Sequence, residues 1–169
     1  DTVLSSLSVG DFTQAVKRIF WQMARESRNH EAVKWGIGIG SVGLREDEVP
    51  GLLTLARHGE FALYTAHALF RESEAQPELK RHLVALLPTS YQWGVIKVVE
   101  CIIRDESLIG QNTVQRNVLI YGMQNCQGIP MEVAFTIAEA IDLAEFCVEA
   151  GHDAAVFRAL ASLVDTLVN

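Results

Sequence analysis

Apolar residues along this chain return at intervals of three and four rather than two, in blocks several helical turns long separated by short polar or Gly/Pro breaks. That is the periodicity of amphipathic helices. Residues 11–27 place Ala15, Ile19 and Met23 on one face behind Asp11 as a candidate N-cap. After Ser27-Arg28-Asn29-His30, residues 31–44 are small and apolar nearly all round, which predicts an inner, buried helix. Glu46-Asp47-Glu48 put negative charge at the start of a helix running to about Arg57, with Pro50 tolerable in its first turn. His58-Gly59 turns the chain into a helix over 60–72. Pro77 opens another over 77–87, and Pro88-Thr89-Ser90 breaks it before 90–104.

The pairs Val95-Ile96 and Val98-Val99 are β-branched and favour strand by composition. Lys97, Glu100 and Arg104 punctuate them at spacings of three and four, so a helix is expected. Gly110 and several Asn and Gln residues weaken the pattern over 107–124. Beyond Gln127-Gly128-Ile129-Pro130 two longer helices are expected, one over 130–149 ending at Gly151 and one over 153–168.

Shifting the chain against itself by about 30 residues aligns Trp35 to Ile39 with Thr65 to Leu69 and with Val95 to Val99. The same shift relates Ile19, Val49, Leu79 and Ile109, then Met23, Leu53 and Leu83, and fails at Thr113. Periods of this length mark solenoids, in which each hairpin covers its apolar face by stacking on the next. The expected fold is all-α: stacked helical hairpins forming an α-solenoid of about eight or nine helices in one domain, 1–169. Its repeats lie at approximately 11–44, 46–72, 77–104 and 107–149, with 153–168 as a terminal capping helix. Starting at Asp1 without Met and ending just after an apolar run, the chain is expected to be part of a longer protein.

The inner segments Glu31-Ala32-Val33-Lys34-Trp35-Gly36, Glu60-Phe61-Ala62-Leu63-Tyr64-Thr65-Ala66 and Tyr91-Gln92-Trp93-Gly94-Val95-Ile96 share a run of aromatic or branched residues followed by small ones. Over residues 11–124 this resembles the second-helix pattern of HEAT-like repeats, in their short bacterial form. The resemblance implies a right-handed, curved stack acting in protein assembly, with no catalytic residues to carry over.

Composition narrows the partners. Of 169 residues 49% are hydrophobic, enough for a sizeable core. The net charge of −7, with Lys and Arg scattered, argues against nucleic acid as a partner. No run approaches the ~20 apolar residues of a membrane span, and the N-terminus lacks signal-peptide order, so a cytoplasmic location is expected. Cys101, Cys126 and Cys147 have neither metal-type spacing nor an even count, and are expected to be reduced thiols.

The chemical motifs thin out on inspection. Gly38-Ile39-Gly40-Ser41-Val42-Gly43 is a literal G-x-G-x-x-G, but Glu46-Asp47-Glu48 follow where a phosphate would sit and no βαβ alternation surrounds it. Gly36, Gly40 and Gly43 instead share a helical face at i, i+4, i+7, allowing a neighbouring helix to approach. Glu139, Asp142, Glu145 and Glu149 would share one face of the 130–149 helix, without the histidine of a di-metal bundle site. His30, His58, His67, His82 and His152 form no H-x-x-x-H, and no Ser or Cys stands in a nucleophile motif. No catalytic, cofactor or metal residue is assigned.

Binding is therefore expected on the second-helix face. Core columns of the repeat would be Gly36, Ala66, Ile96 and Ile39, Leu69, Val99. Outward columns would be Lys34, Tyr64, Gly94, then Ile37, His67, Lys97, then Ser41, Arg71, Cys101. Lys34, Tyr64, His67, Arg71, Lys97 and Arg104 are the expected partner-binding residues, a mixed aromatic and basic strip suited to an acidic peptide or helix. The leading expectation is a protein-interaction scaffold. The alternatives are an enzyme or small-ligand binder with a concave-face pocket, and a self-assembling structural subunit.

Overall fold

The computed structural model describes residues 9–149 and 153–169. Among them the chain is all-helical: eleven α-helices, two short 3-10 segments and no strand. The first two helices, α1 (Val9–Glu26) and α2 (His30–Gly40), form the closest-packed pair. Asp11 lies inside α1 rather than capping it. Asn29 starts α2, its Oδ1 accepting from the amides of Glu31 (2.9 Å) and Ala32 (3.3 Å).

The acids 46–48 form a turn, and α3 (Val49–Leu55) begins after them, followed by α4 (Gly59–Ser73). A 3-10 turn, Pro77–Leu79, leads into α5 (Lys80–Leu86), and a second, Leu87–Thr89, leads towards α6 (Trp93–Ile103). Then come α7 (Glu106–Ile109), α8 (Asn112–Asn125), α9 (Pro130–Ala140), α10 (Leu143–Glu149) and α11 (Ala154–Val168). Helix α2 packs on α4, α4 on α6, and α6 on both α8 and α9; α11 lies against α8 and α9. Ile37, Leu52, Leu69, Leu83, Ile102, Leu119, Ile137 and Leu163 are fully buried in one continuous core.

Two close approaches depend on glycine. A Cβ on Gly36 would fall 2.5 Å from the Ala24 amide nitrogen and 2.7 Å from the Phe20 carbonyl oxygen, so α1 rests directly on the backbone of α2. Gly40 touches Trp21 in the same way, at 3.0 Å. The glycine face is thus a packing face for α1, while Gly43 lies beyond α2 with φ +59°. At Gly94 a Cβ would stand 2.8 Å from both the Ala62 Cβ and the Gly59 carbonyl oxygen, which sets how near α6 comes to α4.

Several expectations are corrected. Eleven helices replace eight or nine because the 107–124 and 130–149 patterns are each divided. The first breaks at Gly110. The second breaks at Ile141-Asp142, where the Asp142 carboxylate accepts from the Ala144 amide (3.1 Å) and starts a new helix. Glu139, Asp142, Glu145 and Glu149 therefore do not share one helix. Gly151 and His152 lie outside the described residues. Four positions assigned to outward columns, Ile37, Ser41, Gly94 and Cys101, are buried because helices pack on both sides of α2 and α6. No helix among the described residues is long and apolar enough to cross a membrane.

Candidate binding cleft

The approach of α6 to α4 at Gly94 leaves a cleft of about 290 Å³ where the two helices begin. Lys34, Glu60, Tyr64, Tyr91, Gln92 and Trp93 line it. Tyr91 and Trp93 are 50% and 57% exposed, and Tyr64 is half-buried against the core. Between the two exposed rings, Gln92 adopts φ 51°, ψ −130°, the sole non-glycine residue with positive φ among those described. A side chain in that region costs on the order of 1–3 kcal/mol. The Gln92 amide donates to the Asn125 carbonyl oxygen (2.9 Å), and Asn125 Nδ2 donates to the Leu87 carbonyl oxygen (3.0 Å). The turn is thereby anchored to α8, with Tyr91 and Trp93 on either side of Gln92 in the chain and both lining the cleft.

Charge in the cleft is balanced within it. Lys34 Nζ donates to Glu31 (2.7 Å) and pairs with Glu60, while lying 5.8 Å from the centre of the Tyr64 ring. These hydrogen bonds, from Glu31 first and Glu60 second, hold the ammonium well above its ordinary pKa. The Lys34 ammonium in turn pulls the Glu60 carboxyl down, against a smaller opposing effect of burial and with a further contribution from His30. His30 Nδ1 is 3.2 Å from Glu60, and the rings of His30, His58 and Phe61 pack together beyond it with centroids 4.6–5.4 Å apart.

The expected partner-binding residues separate into different roles. Lys34 and Tyr64 lie in the cleft. His67 is exposed one turn along α4. Arg71 ties α4 to α2, its Nη1 donating to the Gly38 carbonyl oxygen (3.3 Å) and its Nη2 to Ser41 Oγ (3.1 Å), while Nε pairs with Glu72 at 2.8 Å. Lys97 pairs with Glu100 at 3.0 Å. Arg104 sits at the far end of α6, in a separate depression with Phe70, Lys80 and Asp105. Tyr91, Gln92 and Trp93 were missed as site residues, although two aromatics straddling a polar residue just after Pro88-Thr89-Ser90 were legible.

Other chemistry is sparse. A second depression of about 440 Å³ beside α1 holds Arg18, Trp21, Arg25 and Arg45. At its base Lys17 donates to the Gly43 carbonyl oxygen (2.8 Å) and to Glu48 (2.9 Å), clamping the α2–α3 turn onto α1. Burial pushes the Cys101 thiol up to about 11 and that of Cys126 up as well, which disfavours thiolate nucleophiles. Among the described residues, no three His, Cys, Asp or Glu side chains converge as metal ligands would.

The fold and cleft define an all-α protein with an aromatic-lined, charge-balanced surface depression. No family model, curated protein or solved structure matches the chain.

Proposed function

We propose that this chain is a protein-interaction module that takes an extended apolar peptide segment in the α4–α6 cleft. The observation that carries the reading is the strained Gln92 turn, which displays Tyr91 and Trp93 at about half exposure beside Tyr64. Strain of this kind concentrates at ligand clamps, and exposed Tyr and Trp are the side chains that anchor interfaces. An aromatic-lined groove grips proline-containing segments in the polyproline II conformation, which lose little entropy on binding. Because Lys34 is neutralised by Glu31 and Glu60, an apolar segment suits the cleft better than an acidic one, and its binding is expected to tolerate salt.

The wider reading is a scaffold. We take α1–α2, α3–α4, α5–α6 and α7–α8 as successive hairpins of a right-handed HEAT-like stack. The repeat offset of about 30 residues and the direct packing of α2 on α4 and α4 on α6 support this. The peptide cleft then lies on the second-helix face. The free thiols of Cys101, Cys126 and Cys147 fit a cytoplasmic setting.

The test is panning of a random peptide display library on the folded protein. Selected peptides are expected to share apolar or proline-rich consensus positions, to bind equally at low and high salt, and to be lost with Tyr64→Ala combined with Trp93→Ala. Peptides that survive that double variant would place the site elsewhere; an acidic, salt-sensitive consensus would return weight to the basic strip.

A further inference from the structure

Helix α11 is apolar on two adjacent faces. Val156, Leu160 and Leu163 are buried and Leu167 packs against the same core, at spacings of four, three and four. One position further on, Phe157, Ala161, Val164 and Val168 repeat that spacing on the outside, with Phe157, Val164 and Val168 exposed at 50%, 54% and 77%. Spacings of four and three are those of a coiled-coil seam, and this second seam, about 100° around the helix from the buried one, extends the apolar surface of α11 beyond what its own core covers. Arg158 and Asp165 are the charged residues of this helix, seven apart and hence on the same edge of the outer seam. Both are exposed, and Arg158 makes no salt bridge among the described residues.

We propose that the outer seam of α11 pairs with α11 of a second copy of this chain, antiparallel about a two-fold axis. The charge pattern selects this occupant and this direction. Antiparallel pairing sets Phe157 against Val168 of the second copy and Ala161 against its Val164, with the small Ala161 letting the helices close at the centre. Residues on equal edges then face one another, so Arg158 lies beside Asp165 of the second copy, and the symmetry makes the pair twice. In a parallel dimer the edge bearing both charges faces the edge of Leu160 and Leu167, and neither charge meets its opposite.

The experiment is sedimentation equilibrium of the full chain across a wide concentration range, with circular dichroism and thermal melting confirming that each variant is folded. The wild type is expected to show a reversible monomer–dimer equilibrium. Arg158→Asp and Asp165→Arg should each weaken dimerisation roughly tenfold, because each replaces two attractions by two repulsions. The combined exchange, Arg158→Asp with Asp165→Arg, should restore wild-type association, which no effect on the monomer alone would produce. Ala161→Asp should abolish the dimer. A wild type that stays monomeric, a dimer that survives Ala161→Asp, or single variants not rescued by the exchange would each overturn the proposal. None of these residues lines the α4–α6 cleft, so the outcome is independent of peptide binding.

Discussion

Helices α2 and α11 each carry one acidic residue and one Lys or Arg, yet they are covered differently. In α2 the small residues Gly36 and Gly40 form a flat backbone surface on which α1 lies directly, and α4 covers another side. Trp35, 63% exposed, is the large side chain left outside. Helix α11 has no glycine in its span, and its outer seam carries Phe157, Val164 and Val168 into solvent. The difference is one of side-chain size. Where the outer residues are small, a neighbour in the same chain closes down to backbone contact; where they are bulky and regularly spaced, the helix keeps a surface fit for another helix.

The largest effect should come from removing the flat surface of α2. Gly36→Ala places a methyl group against the α1 backbone, which cannot yield as a side chain would, and should destabilise the fold by about 3 kcal/mol in denaturant titration. On α11, adjacent residues should behave as opposites. Leu163→Ala empties a fully buried site and should cost about 3 kcal/mol, whereas Val164→Ala, 54% exposed, should cost less than about 0.5 kcal/mol in the monomer. If the two cost the same, the assignment of inner and outer seams is wrong.

Smaller changes sharpen the comparison at single positions. Gln92→Gly should stabilise the protein by about 1 kcal/mol through relief of its positive φ, and weaken peptide capture by loosening the turn that presents Tyr91 and Trp93. Gly38→Ala, with nothing within 4 Å of the added methyl group, should stabilise by up to about 0.8 kcal/mol, the reverse of Gly36→Ala two residues away.

The attachment of α11 should also respond to acid. Asp153 caps α11 through the amides of Ala155 (2.8 Å) and Val156 (3.3 Å), and accepts from Arg116 Nε on α8 at 2.9 Å. The Arg116 guanidinium, then the Ala155 amide, hold its carboxyl below the usual range. A folded pKa below the unfolded value means the stabilisation is complete above the unfolded pKa, about 3.9 for Asp. It is then lost as pH falls through the lower folded pKa. Melting temperature measured from neutral pH downward should fall less steeply in that acidic range for Asp153→Asn, which keeps a capping oxygen but has no carboxylate to protonate.

Much of the helical pattern was legible because burial imposes a period of 3.6 residues wherever one side of a helix faces a core. That sufficed for α2, α4 and α11 and for the glycine face of α2; α1 forms where expected, but Ala15 and Ile19 of its expected apolar face are exposed, and Lys17 and Ala24 are buried instead. The break at Asp142 was less legible, since an acidic residue in an apolar run serves a solvated helix face or an N-cap equally well, and the next helix's placement decides. The basic strip illustrates the same limit. Lys34, Arg71 and Lys97 were identifiable as outward candidates, but their pairing with Glu60, Glu72 and Glu100 neutralises them, and two of those acids are local residues whose side-chain directions the pattern does not specify.

By itself, the sequence determined that this is an all-helical chain with a recurring apolar face, because that periodicity is a local property of each segment. Tertiary structure decided which faces remain open. The approach of α6 to α4 at Gly94 creates the cleft, the Gln92 turn anchored on Asn125 aims two aromatic rings around it, and the packing of α11 on α8 and α9 covers one of its two apolar seams. Each depends on distances between residues far apart in the chain, which no local pattern encodes.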